Sequence, residues 1–159
     1  MKPTAHRRIV IEAVHPELDC GRYAVKREVG DSLEVGADIF KDGHDALSAA
    51  IRYRAEDESE WRQAPMHFVE NDRWTGSFTL ERNTRYLYTI VAWTDAFLSW
   101  VTEFRKKYDA GQDVMSEMLE GLRIVTAAAK RASPEERARI HALLDEVRSG
   151  ETLAERVAV

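Results

Sequence analysis

The 159-residue chain has one cysteine, four prolines and no apolar stretch long enough to cross a bilayer, and each scarcity removes a class of protein. The lone Cys20 cannot form an internal disulfide, and a zinc site built on it would need several Cys or His partners at fixed spacing, of which only His15 is near. Met1 to His6 and Arg7-Arg8 run into an alternating pattern with no apolar core of their own, so no signal peptide is expected. A basic stripe is missing too. Residues 1–108 carry 18 acids against 16 bases and residues 109–159 carry 10 against 7, and the one basic cluster, Arg105-Lys106-Lys107, is short. A nucleic-acid partner, which needs cations to neutralise phosphates, is disfavoured. The expectation is a cytoplasmic protein without membrane contact, bound metal or cofactor.

What is present is an ordinary folded balance, 44% hydrophobic and 32% charged, enough for one domain with an appendage. The period of the apolar residues changes near residue 95. Before it, short β-branched and aromatic runs alternate with turn signals. These are Ile9 to His15 closed by Pro16, Tyr23-Ala24-Val25, the alternating Leu33, Val35, Ala37 and Ile39, Leu47 to Tyr53, Met66 to Val69, Trp74 to Phe78, and Tyr86 to Trp93. Asn71-Asp72 reads as a hairpin connection. The last run is apolar on both faces and is expected to be a central strand. Roughly seven strands with a turn every ten or so residues predict an antiparallel, immunoglobulin-like or carbohydrate-module-like β-sandwich over residues 1–95.

Residues 96–159 are expected to be helical, giving an α+β chain overall. Phe97, Trp100, Val101, Phe104 and Tyr108 share one helical face, with Gly111 as the stop. Met115, Met118, Leu119, Leu122 and Val125 repeat the pattern. Ser133-Pro134-Glu135-Glu136 starts a third helix with a serine cap, proline at the first position and a capping box, and Ile140, Leu143, Leu144 and Val147 form its stripe up to Gly150. Thr152 to Val159 begins a further helical pattern that runs out. The expectation is a truncated helical bundle, with the parent continuing beyond the C-terminus or a partner covering the helices.

Several stretches, in order, resemble the N-terminal region of the GlgE-type α-1,4-glucan:maltose-1-phosphate maltosyltransferases, a branch of the α-amylase superfamily. They are Arg8-Ile9-Val10-Ile11-Glu12, Gly21-Arg22-Tyr23-Ala24-Val25-Lys26, Val29-Gly30 with Val35, and Ala37-Asp38-Ile39-Phe40. Asp42-Gly43-His44-Asp45, Asn71-Asp72-Arg73-Trp74 and Ala92-Trp93-Thr94-Asp95 follow, then Phe97, Trp100, Lys106-Lys107 and Ala110-Gly111-Gln112-Asp113. Cys20, Ala24 and Ser99 depart from the family pattern, where glycine, proline and threonine are common. The resemblance implies a parent enzyme that moves a maltosyl unit from α-maltose 1-phosphate to an α-1,4-glucan with retention. Its work is done in a (β/α)₈ barrel by an aspartate nucleophile and a glutamate acid/base, two carboxyls about 5 Å apart. No βα repeat occurs here, so those residues are expected beyond Val159. The resemblance implies a dimerising, scaffolding role for this part, whose partners are its own C-terminal barrel and a second copy.

Four groups of residues invite more specific readings. Asp42-Gly43-His44-Asp45 could be an acid–base dyad but reads better as a turn. Glu12, His15, Glu17 and Asp19 lack the fixed spacing of a metal site. Among the tryptophans, Trp93 and Trp100 are expected in the core, while Trp61 and Trp74 flank one hairpin and could stack on a sugar. Met115, Met118, Leu119, Leu122, Ile140, Leu143, Leu144 and Val147 are candidate interface residues. The alternatives to the scaffolding role are therefore a glucan-binding module using Trp61 and Trp74, and a protein-interaction adaptor using the helices.

Overall fold

A computed structural model describes residues 9–149. The Arg7-Arg8 lead-in, the Gly150 stop and the pattern from Thr152 to Val159 lie outside the described residues. The chain divides into two compact units, Met1–Asp95 and Ala96–Val159.

Among its described residues the first unit holds six strands: β1 (Ile9–His15), β2 (Ser32–Lys41), β3 (Leu47–Ala55), β4 (Arg62–Glu70), β5 (Arg73–Thr79) and β6 (Tyr86–Thr94). All pairings are antiparallel and the spatial order is β1-β2-β5-β4-β3-β6. The end strands β1 and β6 also approach each other, so the sheet curls nearly into a barrel. The antiparallel strands followed by helices are as expected, but they number six and form one nearly closed sheet where a sandwich of roughly seven was expected.

Alternation drives the packing. Leu33, Val35, Ala37 and Ile39 of β2 all point inward and are buried, and they meet Ala49 and Ile51 of β3, Ala64 and Met66 of β4, and Trp74 and Phe78 of β5. Each branched aliphatic side chain so buried contributes about 1.5–3 kcal/mol. Tyr53 stacks on Phe78 with ring centroids 4.0 Å apart, and Tyr86 and Tyr88 tilt against the same ring. Gly76 leaves no room for a side chain, since a Cβ there would lie 2.5 Å from the Pro65 carbonyl oxygen. Asn71 and Asp72 both take positive φ, 46° and 63°, the twist that a two-residue hairpin needs.

Three further expectations change. Tyr23-Ala24-Val25 is not a strand; Tyr23 makes only an isolated bridge to Leu18 within the long β1–β2 connection, which the Tyr88 hydroxyl holds by donating to the Pro16 carbonyl. β6 is not central. It pairs with β3 alone, and its outer edge has no strand partner among the described residues. Tyr86, Tyr88, Ile90 and Ala92 pack on the core, while Trp93, on the opposite face, is exposed.

The second unit holds α1 (Ala96–Asp109), α2 (Met115–Ala129) and α3 (Pro134–Ser149). Phe104, Val114 and Met118 form its dry centre, with Trp100 and Val147 packed on it. Gly111 ends α1 with φ 68°, and its N–H bonds the Tyr108 carbonyl. The capping box forms as read: Glu136 accepts from the Ser133 N–H at 3.0 Å, and the Glu136 N–H bonds the Ser133 hydroxyl at 3.3 Å. The Trp100 indole N–H donates to the Glu117 carbonyl at 2.6 Å, and Lys107 bonds the Glu117 carboxylate, so α1 and α2 share one polar clasp.

Two measurements test this packing. The Trp100 indole packs against Gly121, where a Cβ would fall 2.1 Å from a ring carbon. Gly→Ala inside an exposed helix stabilises by about 1 kcal/mol. Gly121→Ala should do the opposite and lower stability by about 1–3 kcal/mol through overpacking, read by chemical denaturation followed at the helical signal. The second test concerns the Lys107–Glu117 pair. Lys107 first, then backbone and Ser116 contacts, holds the Glu117 carboxyl down from 4.5 to about 2. A depressed folded pKa gives stability that is complete above pH 4.5 and is lost as pH falls toward 2. Acid titration of the wild type should therefore show a steeper loss of stability between those values than Glu117→Gln.

Candidate functional site

The loops after β3 and β5 bring a cluster of acids and arginines together. Glu58 is the hub. Its carboxylate accepts the Ala55 N–H at 3.0 Å and Arg62 at 2.9 Å, with Arg82 at 3.5 Å. Arg62 also reaches Glu81 at 2.8 Å, Arg82 bonds Asp57 at 2.5 Å, and Arg85 lies 3.8 Å from Glu56. The Ala55 N–H and Arg62 lower the pKa of Glu58, and the bond to Arg82 lowers that of Asp57. Isolated surface pairs of this kind contribute little, because solvent screens them, so this network fixes loop geometry more than it stabilises the fold.

Two arginines of the same region stand outside the network. Arg52 and Arg54 alternate with the core residues of β3 and so share its outward face, where Arg52 lies across from Gln63 of β4 and Thr89 of β6. Their guanidinium carbons sit 5.6 Å and 5.1 Å from the centre of a Trp61 ring. Arg54 donates to the Glu56 and Glu58 carbonyl oxygens, and its Nε is buried without a hydrogen-bond partner. Sequence reading passed over both arginines, although the period-two pattern of β3 already put them on the outer face.

The structure separates Trp61 from Trp74. Trp74 is 9% exposed, its indole N–H bonded to the Ile39 carbonyl at 3.2 Å and its ring against Phe68. It lies across from Phe68, seven residues along β4 from Trp61, a span of about 23 Å at strand rise. The two rings therefore do not form one stacking platform, and burial gives Trp74 a core role. Trp61 is 38% exposed.

The eight helical candidates also divide. Met118 and Leu144 are buried inside the unit, with Leu144 at 3% exposure, and Val147 packs on the Phe104 cluster. Leu122 and Ile140 are half-buried. Met115, Leu119 and Leu143 are exposed, Leu143 at 51%, because three short helices bury one face each and leave the remaining stripe uncovered. Leu119 also lines a groove of about 580 Å³ with Leu122, Thr126 and the cations Arg123, Lys130 and Arg148.

In the turn 42–45, Asp45 is committed to Lys41 at 2.7 Å, whose side chain is 2% exposed, and His44 is exposed. The turn neutralises a buried cation. Among the described residues, no group of three or more His, Cys, Asp or Glu side chains could hold a metal ion. A groove of about 1030 Å³ lies along the outer edge of β6, between Thr84 to Ile90 and the connection 16–27.

An antiparallel, nearly closed β unit followed by three helices defines an α+β protein. The family model that matches residues 7–159 describes the α-1,4-glucan:maltose-1-phosphate maltosyltransferase, domain N/S. The chain is 52% identical over 128 residues to the α-1,4-glucan:maltose-1-phosphate maltosyltransferase of Myxococcus xanthus, covering 78% of this chain and 19% of that protein. It is 43% identical over 135 residues to that of Chlorobaculum tepidum, covering 85% and 20%, and 32% identical over 151 residues to that of Salinibacter ruber, covering 93% and 23%. The chain belongs to the domain N/S family of these maltosyltransferases and spans about a fifth of the length of the relatives it matches.

Proposed function

We propose that this chain is the non-catalytic scaffolding and dimerisation part of a cytoplasmic maltosyltransferase of α-glucan synthesis, one that transfers maltosyl from α-maltose 1-phosphate to an α-1,4-glucan. Residues 1–95 serve as the N domain and residues 96–159 as part of a helical-bundle insertion. The observation that carries the reading is the exposure of Met115, Leu119 and Leu143, with Leu119 in a groove lined by cations, on a family domain that accounts for a fifth of its relatives. Apolar side chains in this arrangement favour a covering surface, and a twofold pair of copies is the commonest one.

The immunoglobulin-like reading of the strand unit belongs here too. The order β1-β2-β5-β4 matches the four-stranded sheet of the constant-type sandwich, and β3-β6 matches two of the three strands of its second sheet. The third would pair at the outer edge of β6, beside the large groove. A separate observation favours a weaker glucan-binding reading, confined to Trp61, which is exposed.

Two experiments test the main reading. Mixed with maltose 1-phosphate and a maltooligosaccharide, the 159-residue chain should release no phosphate above the buffer rate; turnover would defeat the non-catalytic assignment. Light scattering should show a dimer at micromolar concentration that Leu119→Asp with Leu143→Asp converts to monomer, with circular dichroism unchanged because both positions are exposed. A wild-type chain that stays monomeric at high micromolar concentration would refute association through this face.

A further inference from the structure

We propose that Trp61, Arg52 and Arg54 form a binding site on the outer face of the strand unit for a sugar carrying a phosphate monoester. Three observations lead there. First, the charge in this cluster is unevenly neutralised. The carboxylates of Glu56, Asp57, Glu58 and Glu81 pair with Arg62, Arg82 and Arg85, and among the described residues neither Arg52 nor Arg54 has a carboxylate partner. Glu60, next to Trp61 in the chain, is exposed and makes no ion pair with either.

Second, both guanidinium groups lie over the same indole. Each lies within 6 Å of the indole centre, and Arg54 is further pinned by main-chain oxygens that leave its Nε unmet. A guanidinium presents a planar fork of donors that matches phosphate oxygens, and a pre-placed fork loses little freedom on binding. Third, Trp61 is 38% exposed, with Gln63 and Thr89 across from Arg52 on the neighbouring strands. An aromatic ring packs against the apolar face of a sugar, while cations without acids draw an anion. Together they select a ligand that is both, in preference to a neutral glucan or a bare anion.

Maltose 1-phosphate is the probe, and that choice of sugar rests on the family reading above. The 159-residue chain is titrated with maltose 1-phosphate, with inorganic phosphate and with maltose, following heat and tryptophan emission. Maltose 1-phosphate should bind at least tenfold more tightly than either of the others. Arg52→Gln should weaken it at least tenfold, Arg52→Lys less, and Trp61→Leu should bring it to the level of inorganic phosphate. Arg52 is exposed, so its variants should melt as wild type. Equal affinity for phosphate and maltose 1-phosphate would overturn the stacking contribution and with it the site. So would binding that survives Arg52→Gln, or no binding at all. None of these outcomes alters the association measured by light scattering, so the site can fail while the scaffolding reading stands.

Discussion

The strand unit depends on the dry contact between β2 and the strands that curl around it. Val35, Ala37 and Ile39 are almost without solvent contact, and so is Ile51 facing them from β3. Side chains on a strand alternate, so this inward set fixes the outward set as well: a one-residue slip of β3 would bury Arg52 and Arg54 and expose Ile51. The register of the core is therefore what places two arginines on the outer face beside Trp61. It also explains why the charged loops sit where they do, since β3 and β5 both end at the edge of that core and their connections must carry polar backbone into solvent.

Much of this was legible in the residues. Alternation in Leu33 to Ile39 and the capping box at Ser133 each have one physical solution, and Asn71-Asp72 tolerates the positive φ of a tight hairpin. What misled was symmetry of composition. Tyr86 to Trp93 is apolar on both faces, which suggests a strand covered on both sides, but pattern alone cannot tell a central strand from an end strand whose outer face is half-buried. Tyr23-Ala24-Val25 has strand-like residues yet makes only the bridge from Tyr23 to Leu18, and β1 takes the place beside β2.

The site was less legible than the fold for a related reason. Trp61 and Trp74 look equivalent along the chain, both aromatic beside polar neighbours. Trp74 is drawn inward because it sits in β5 in register with Ala37 and has the Ile39 carbonyl for its indole N–H. Trp61 precedes β4 and has no core position to fill. In the helices, Leu143 and Leu144 are adjacent and indistinguishable by type, yet adjacent positions on a helix face about 100° apart, so one is buried and the other exposed.

Two features remain unsatisfied by the chain's own described contacts, one in each unit. The outer edge of β6 presents backbone donors and acceptors along a groove, a surface that natural sheets generally pair, cover or blunt. The stripe of Met115, Leu119 and Leu143 presents apolar area, with Leu119 in a groove lined by cations. They differ in what they demand: the edge needs a strand in hydrogen-bonding register, whereas the stripe needs only a complementary apolar face. A second copy could meet the stripe through twofold symmetry without touching the edge. On the scaffolding reading, then, association of copies and completion of the sheet are separate events, and loss of one need not disturb the other.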